Sequence, residues 1–319
     1  SRCGCFACRG IQGNQNAVGP LTPGEMVPWE YGNNSSLGND LDGKISTTPA
    51  NTGFYSKTSA DVAALTLDSL AALDSPYVAG TFVGAKWGSI DPDSGITTEL
   101  SYYVTPEGFT LSDGSTSVAA TAAELNAIAI ANAAFTDVAN LSFAETSTGD
   151  TDANFRWSFA TGSGYLGRAD FPGLNGNVTS DVITYSDAYS GNSGAMDAGG
   201  YYYLTLPHEL GHAMGLAHPH NGGGAWTAAY GSELFPGVYE NSFSSGGDND
   251  LNSAPFSTMT YNDATSELTS SNSSGGTDLV TPGASVNYGF GEGLGAFDIA
   301  TLQYLYGPNT TKGASTDDV

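Results

Sequence analysis

Hydrophobic and polar positions divide the chain into stretches of different character. Up to residue 57, Gly, Asn, Pro and Ser dominate without a sustained period, as in Tyr31-Gly32-Asn33-Asn34-Ser35-Ser36. This part reads as an extended arm, a linker or a processed segment. From Thr58 the pattern changes. Thr58-Ser59-Ala60-Asp61 has the form of a capping box, Val62, Leu65, Leu70 and Leu73 follow at roughly helical spacing, and Pro76 is expected to end that helix. Residues 96–104 are β-rich and stop at Pro106. Thr121-Ala122-Ala123-Glu124 is a second capping box, opening an Ala-rich helix to about Val138. Residues 141–145 and 155–159 alternate as strands do. Residues 165–171 predict a short strand closed by Pro172-Gly173, and 182–185 another. Helices are expected over 202–215 and 296–306, the second stopped by Gly307-Pro308. Residues 221–295 are mostly Gly, Ser, Asn and Thr, a long loop of the kind that often borders a site. Strands with interspersed helices predict an α/β or α+β domain.

Composition narrows the function. The 319 residues suffice for a sizeable core. Against 33 Asp and Glu stand only 8 Lys and Arg, a net charge of −25. Phosphate backbones and anionic lipid surfaces need basic patches, so neither nucleic acid nor membrane is an expected partner. No apolar run approaches the roughly 18 residues of a membrane span. The chain opens at Ser1 without a basic-then-apolar leader, so a signal peptide is expected to be absent or already removed. A weakly cationic, self-repelling surface suits a secreted or salt-exposed protein, expected to act as a monomer. Cys3, Cys5 and Cys8 are the only cysteines, so no disulfide framework holds the body of the chain.

All four histidines, His208, His212, His218 and His220, fall within thirteen residues. Three of them lie in His208-Glu209-Leu210-Gly211-His212-Ala213-Met214-Gly215-Leu216-Ala217-His218, which is H-E-x-x-H-x-x-G-x-x-H, the elongated zinc motif of metzincins. Helical residues four apart are separated by about 40° around the axis and about 6 Å along it, so His208 and His212 can face one ion. A third ligand six residues later requires a turn, and Gly215 is where an unusual backbone angle costs least. Three neutral imidazoles leave one zinc position open, as in a catalytic site, where the ion acidifies water and polarises a carbonyl. Glu209 is the candidate general base, then acid. His220 has no place in the motif and reads as a loop histidine.

Beyond the motif, the chain resembles the serralysin branch of the metzincins, secreted bacterial zinc proteases. The matching pieces are Gly84-Ala85-Lys86-Trp87-Gly88, Val138-Ala139-Asn140-Leu141-Ser142-Phe143-Ala144-Glu145, the zinc motif followed by Pro219, Ser257-Thr258-Met259-Thr260-Tyr261, and Asp298-Ile299-Ala300-Thr301-Leu302-Gln303-Tyr304-Leu305-Tyr306-Gly307. The resemblance implies a twisted, mostly parallel sheet, an active-site helix, a third ligand after a Gly turn, a Met-turn and a C-terminal helix. It places the catalytic domain at 58–308, after an N-terminal arm or pro-segment at 1–57 and before a tail at 309–319. It implies one catalytic zinc on His208, His212 and His218, Met259 as the hydrophobic floor, and Tyr261 as a zinc ligand at rest that turns to the oxyanion. It also implies extended polypeptide substrates pairing with the 165–171 edge.

Three features depart from that pattern. Pro207 precedes His208, so the helix starts later than the family's or is kinked. Serralysins continue into a calcium-loaded β-roll, whereas this sequence stops about a dozen residues after its last expected helix, as a truncated or processed form would, or a relative without the roll. Gly246-Gly247-Asp248-Asn249-Asp250 is a single fragment that reads as a polar loop, leaving structural calcium only as an accessory expectation. Arg2-Cys3-Gly4 matches the core of the cysteine switch of latent matrix metalloproteinases, whose thiolate blocks zinc. Three readings therefore stand for the cysteines: a latency switch at Cys3, a Cys5–Cys8 disulfide or thiol metal site, or a remnant. The function expected is a secreted zinc endopeptidase. Its alternatives are a latent proenzyme of the same family and a non-catalytic acidic calcium-binding or adhesion module.

Overall fold

The computed structural model describes residues 3–4, 62–64, 75–81, 83, 85–88, 91–146, 153–161, 166–172, 180–185, 193–220, 233–239, 246–262 and 291–310. Its first elements are strands β1 (Cys3–Gly4) and β2 (Val62–Ala64), helix α1 (Pro76–Ala79), and strands β3 (Ala85–Trp87), β4 (Thr98–Val104) and β5 (Ser117–Val118). Helix α2 (Ala122–Val138) leads to β6 (Leu141–Glu145), β7 (Phe155–Ala160), β8 (Gly167–Ala169) and β9 (Ser180–Tyr185). Helix α3 (Thr205–Ala213), the hairpin β10 (Glu233–Phe235) and β11 (Val238–Tyr239), and helix α4 (Ala296–Tyr306) complete it.

The helix expected from Thr58 is corrected. Val62, Ala63 and Ala64 pair antiparallel with Trp87, Lys86 and Ala85, so these residues are extended. Pro76 opens a helix instead of closing one. It sits in the first turn of α1, where its missing N–H costs nothing, and Ser75 Oγ caps the Val78 N–H at 3.3 Å. At these three residues a sheet partner more than twenty residues away outweighs helical spacing, while 58–61 and 65–74 lie outside the described residues. The 221–295 stretch is also less irregular than expected, since it contains the β10–β11 hairpin.

The main sheet has the order β1-β8-β9-β7-β4-β6, with β5 also on β7. β6, β4, β7 and β9 run parallel, while β8 pairs antiparallel with β9 at the motif-bearing side. The fold is thus mixed α/β with a mostly parallel sheet. Central β7 is buried throughout, as a strand covered on both faces must be. One face carries Phe155, Trp157 and Phe159 into the main core with Ile128, Ala131, Phe135, Leu206 and Leu210. Ala160 and Ile183 pack with Leu111 in a smaller cluster.

Helix α2 forms as its capping box predicts. Thr121 N donates to Glu124 Oε2 at 2.6 Å, and Glu124 N donates to Thr121 Oγ1 at 3.3 Å. Ala127, Ile128, Ala131 and Phe135 form its buried stripe. Beyond its end, Asn309 N donates to Val138 O at 3.2 Å, so the start of the expected tail is tied to the domain. No helix among the described residues is long and apolar enough to cross a membrane.

Between β7 and β9, Arg156 Nε donates to Asp181 Oδ1 at 2.7 Å with both side chains buried. Removing one partner leaves a buried charge without its counter-ion. Asp181→Ala is therefore expected to lower unfolding stability by about 3–5 kcal/mol in urea titrations, with much of the loss recovered by Arg156→Met/Asp181→Leu. Equal stability of Asp181→Ala and wild type would refute this.

Candidate metal centre

Helix α3 is buried along all nine residues, although it carries His208, Glu209, His212 and Thr205. Polar side chains are costly to bury unless something else holds them. Pro207 is its third residue, inside the first turn, so the helix begins at Thr205 and needs no kink there.

After Ala213 the chain reverses through Gly215, whose φ of +99° is left-handed and whose position would drive a Cβ into the Ala85 carbonyl. Leu216 N donates to Gly211 O at 2.8 Å, and Ala217 N donates to Thr81 O at 2.9 Å. Trp87 Nε1 donates to Ala213 O at 2.7 Å and Tyr306 Oη to Met214 O at 2.9 Å. These bonds satisfy carbonyls at the helix end and fix the turn that delivers His218.

The turn brings all three motif histidines together. Nε2 of His218 lies 3.1 Å from Nε2 of His208 and 3.0 Å from Nε2 of His212. On the far sides of the rings, His208 Nδ1 meets Thr258 O at 2.8 Å and His212 Nδ1 meets Leu216 O at 2.9 Å. A carbonyl can only accept, so both Nδ1 atoms carry the proton and both Nε2 atoms carry lone pairs. Burial lowers the pKa of His208 to about 4 and pushes His212 well below its usual value, against the raising effect of those carbonyl contacts. Both imidazoles are thus neutral at pH 7. Converging lone pairs repel unless a cation lies between them. Tetrahedral zinc at about 2.0–2.1 Å from each nitrogen would space them about 3.3 Å apart, within a few tenths of an ångström of the distances here. Among the described residues, these three form the group able to hold a metal ion.

Met259 is fully buried against helix α3 at Gly211. A Cβ on Gly211, between the two helical ligands, would come within 2.6 Å of its Sδ, so a side chain there would displace the methionine. The Met259 loop is held by Asp298 on α4. Ser257 Oγ donates to Asp298 Oδ1 at 2.7 Å, while Thr258 N and Gly295 N donate to Oδ2 at 2.5 and 2.9 Å. Asp298 therefore holds the residue whose carbonyl orients His208. Its only sequence signal was an acid at the third position of a predicted helix, where it can accept from the cap N–H.

Glu209 is fully buried, and burial raises its carboxyl pKa well above normal against the lowering field of Arg168. Strand β8 crosses it closely. A Cβ on Gly167 would lie 2.8 Å from Glu209 Cγ and 2.6 Å from Thr205 Cγ2, so only glycine allows this approach. Of the predicted strand 165–171 and its closing Pro172-Gly173, Tyr165 and Gly173 lie outside the described residues. Phe171 packs edge-on to His212, with ring centroids 5.2 Å apart.

Tyr261, half-buried, lies across the histidine group, 4.6 Å from His218 and 6.2 Å from His208 between ring centroids. The expectation that His220 is a plain loop histidine is corrected. It is buried, stacks on His218 at 4.8 Å and 9°, and lies 4.2 Å from the Tyr261 ring. The Asp248-Asn249-Asp250 fragment forms a tight turn in which Asn249 and Asp250 both take a left-handed φ of 57°. For Cys3 the structure describes only backbone pairing, opposite Ala169 on β8, while Cys5 and Cys8 lie outside the described residues.

No family model matches the chain. The chain is similar to serralysin from Proteus mirabilis, 25% identical over 196 residues that make up 58% of this chain and 34% of that protein. It thus spans about a third of the relative's length. The mixed α/β fold with its mostly parallel sheet is consistent with a metzincin-like catalytic domain, and the three-histidine cluster fits a zinc site.

Burial raises the Asp298 pKa from 3.8 to about 6, outweighing the donors that favour its carboxylate. A carboxyl raised on folding adds most stability when protonated, and that contribution falls as pH rises between the unfolded and folded values. Asp298→Ala is expected to cost about 3 kcal/mol at pH 4 by stranding buried donors. In urea titrations the gap between wild type and variant should narrow from pH 4 to 7. A gap that widens would overturn the assignment.

Proposed function

We propose that the chain is a secreted zinc-dependent endopeptidase of the metzincin clan, with residues 58–308 as its catalytic domain and extended polypeptide as its substrate. The observation that carries this reading is the donor set: two imidazoles whose Nδ1 protons are committed to backbone carbonyls, and a third meeting their Nε2 atoms at 3.0–3.1 Å. His208, His212 and His218 would hold the ion. Zinc, when bound, supplies Lewis acidity that polarises a peptide carbonyl and makes water a stronger acid.

The protein's own groups do the rest. Glu209, one residue after the first ligand, accepts the proton of the attacking water and delivers it to the leaving amine. Burial raises its affinity for protons, which favours taking one from the attacking water. Tyr261 supplies a phenol donor to the oxyanion. The β8 edge binds substrate by main-chain pairing, which tolerates varied side chains. With no nucleic acid or membrane partner, the protein acts on polypeptides outside the cell as a monomer. Calcium, if bound, has a structural role only.

Casein hydrolysis with and without 1,10-phenanthroline tests the proposal. Cleavage should stop with chelator and return with zinc. Glu209→Ala should retain zinc while losing about 10²–10⁴-fold in kcat/KM. Undiminished turnover in that variant would contradict the mechanism.

A second reading, a latent form of the same enzyme, is favoured by one observation. β1 pairs antiparallel with β8, Cys3 opposite Ala169 and Gly4 opposite Arg168, on the edge assigned to substrate. In this reading the N-terminal segment occupies the substrate strand, and the Cys3 thiolate blocks the zinc. Cys3→Ala in the full chain should then raise peptidase activity at least tenfold. Activity equal to wild type would eliminate the thiol from the device.

A further inference from the structure

His220 lies two residues past the third metal-binding histidine, outside the motif, yet it is as buried as the ligands themselves. Its imidazole is nearly parallel to that of His218, with 9° between planes and 4.8 Å between centroids. The same ring packs against Tyr261 at 4.2 Å and 50°. Tyr261 in turn contacts His218 at 4.6 Å and 58°. His218, His220 and Tyr261 thus form a closed triangle of rings, and each restrains the other two.

The consequence differs at each corner. His218 follows a turn through Gly215, so it lacks the helical scaffold that aims His208 and His212. The flat face of His220 supplies an orienting wall for His218. Tyr261 stands one residue beyond Thr260, whose Oγ1 donates to Asn252 Oδ1 at 2.6 Å. The backbone is thereby anchored, and the ring packs against His218 and His220.

We propose that His220 is a positioning residue of the metal centre, which aims the His218 imidazole and sets the resting position of the Tyr261 phenol through ring stacking. The inference rests on the zinc-peptidase reading and adds a residue to it. His220 acts through its planar face, so a planar apolar ring should replace it and a branched aliphatic side chain should not. Metal affinity and turnover should both depend on it, because one ring touches both a ligand and the phenol. Outer groups that orient metal ligands are commonly worth about 10–100-fold in affinity or activity.

The experiment compares wild type with His220→Ala, His220→Leu and His220→Phe in the full chain, all checked for cooperative thermal unfolding. Zinc affinity is measured by competition with a chromophoric chelator, and kcat and KM on a quenched fluorescent peptide. The expected result is a zinc dissociation constant raised about tenfold in the Ala and Leu variants. Their kcat should fall by about tenfold or more with KM changed less than about threefold, and Phe should restore both quantities to near wild type. Leu fills the volume, so it remains informative if Ala fails to fold. Leu and Phe variants that both match wild type in zinc affinity and kcat would overturn the proposal, as would a Phe variant as impaired as Leu. A wild type that binds zinc but does not cleave would sink the peptidase reading instead, and the zinc affinities alone would then decide whether His220 aims His218.

Discussion

Three buried imidazoles that meet at one point, two of them neutral with their lone pairs turned inward, are the constraint around which this molecule is organised. Such an arrangement is costly to bury, because each ring has left water and two lone pairs face the same point. Much of the surrounding structure opposes the relaxation that would separate them. The Thr258 and Leu216 carbonyls commit the Nδ1 protons outward, Met259 fills the space under Gly211, and the Gly215 turn is closed by the indole of Trp87 and the phenol of Tyr306. A site prepared in this way gains its metal affinity from preorganisation, since little rearrangement remains to be made on binding.

The same constraint links parts of the chain far apart in sequence. Asp298 near the C-terminus holds the 257–259 loop, that loop orients a ligand on α3, and the end of α3 is capped from β3 and α4. β8 presses on Glu209 from the other side, with Gly167 permitting the approach. Glu209 thus sits between β8 and the three histidines. Burial on both sides raises its proton affinity, so positioning and acid–base strength share one physical cause.

Sequence periodicity succeeded where an element is stabilised locally. α2 carries its own capping box and an Ala-rich body, and its expected ends agree with those observed. α4 and the strands at 141–145 and 155–160 were legible for similar reasons. The pattern failed at 62–64, where pairing with β3 overrides helical spacing, and at Pro76, whose effect depends on whether it falls in a first turn or an interior. His220 was misread because nothing local distinguishes a stacked histidine from a solvated one.

By itself the sequence determined which atoms can bind metal and which can move a proton. Spacing on a helix, followed by one glycine, is a local property that H-E-x-x-H-x-x-G-x-x-H encodes completely. Only the tertiary structure decided what fixes those atoms in charge state and direction: Thr258 and Asp298 behind His208, His220 beside His218, Gly167 against Glu209, and β1 along β8. These relations join residues brought together by the sheet order and the return of α4. They depend on distances in space, which a one-dimensional pattern of residue types does not carry.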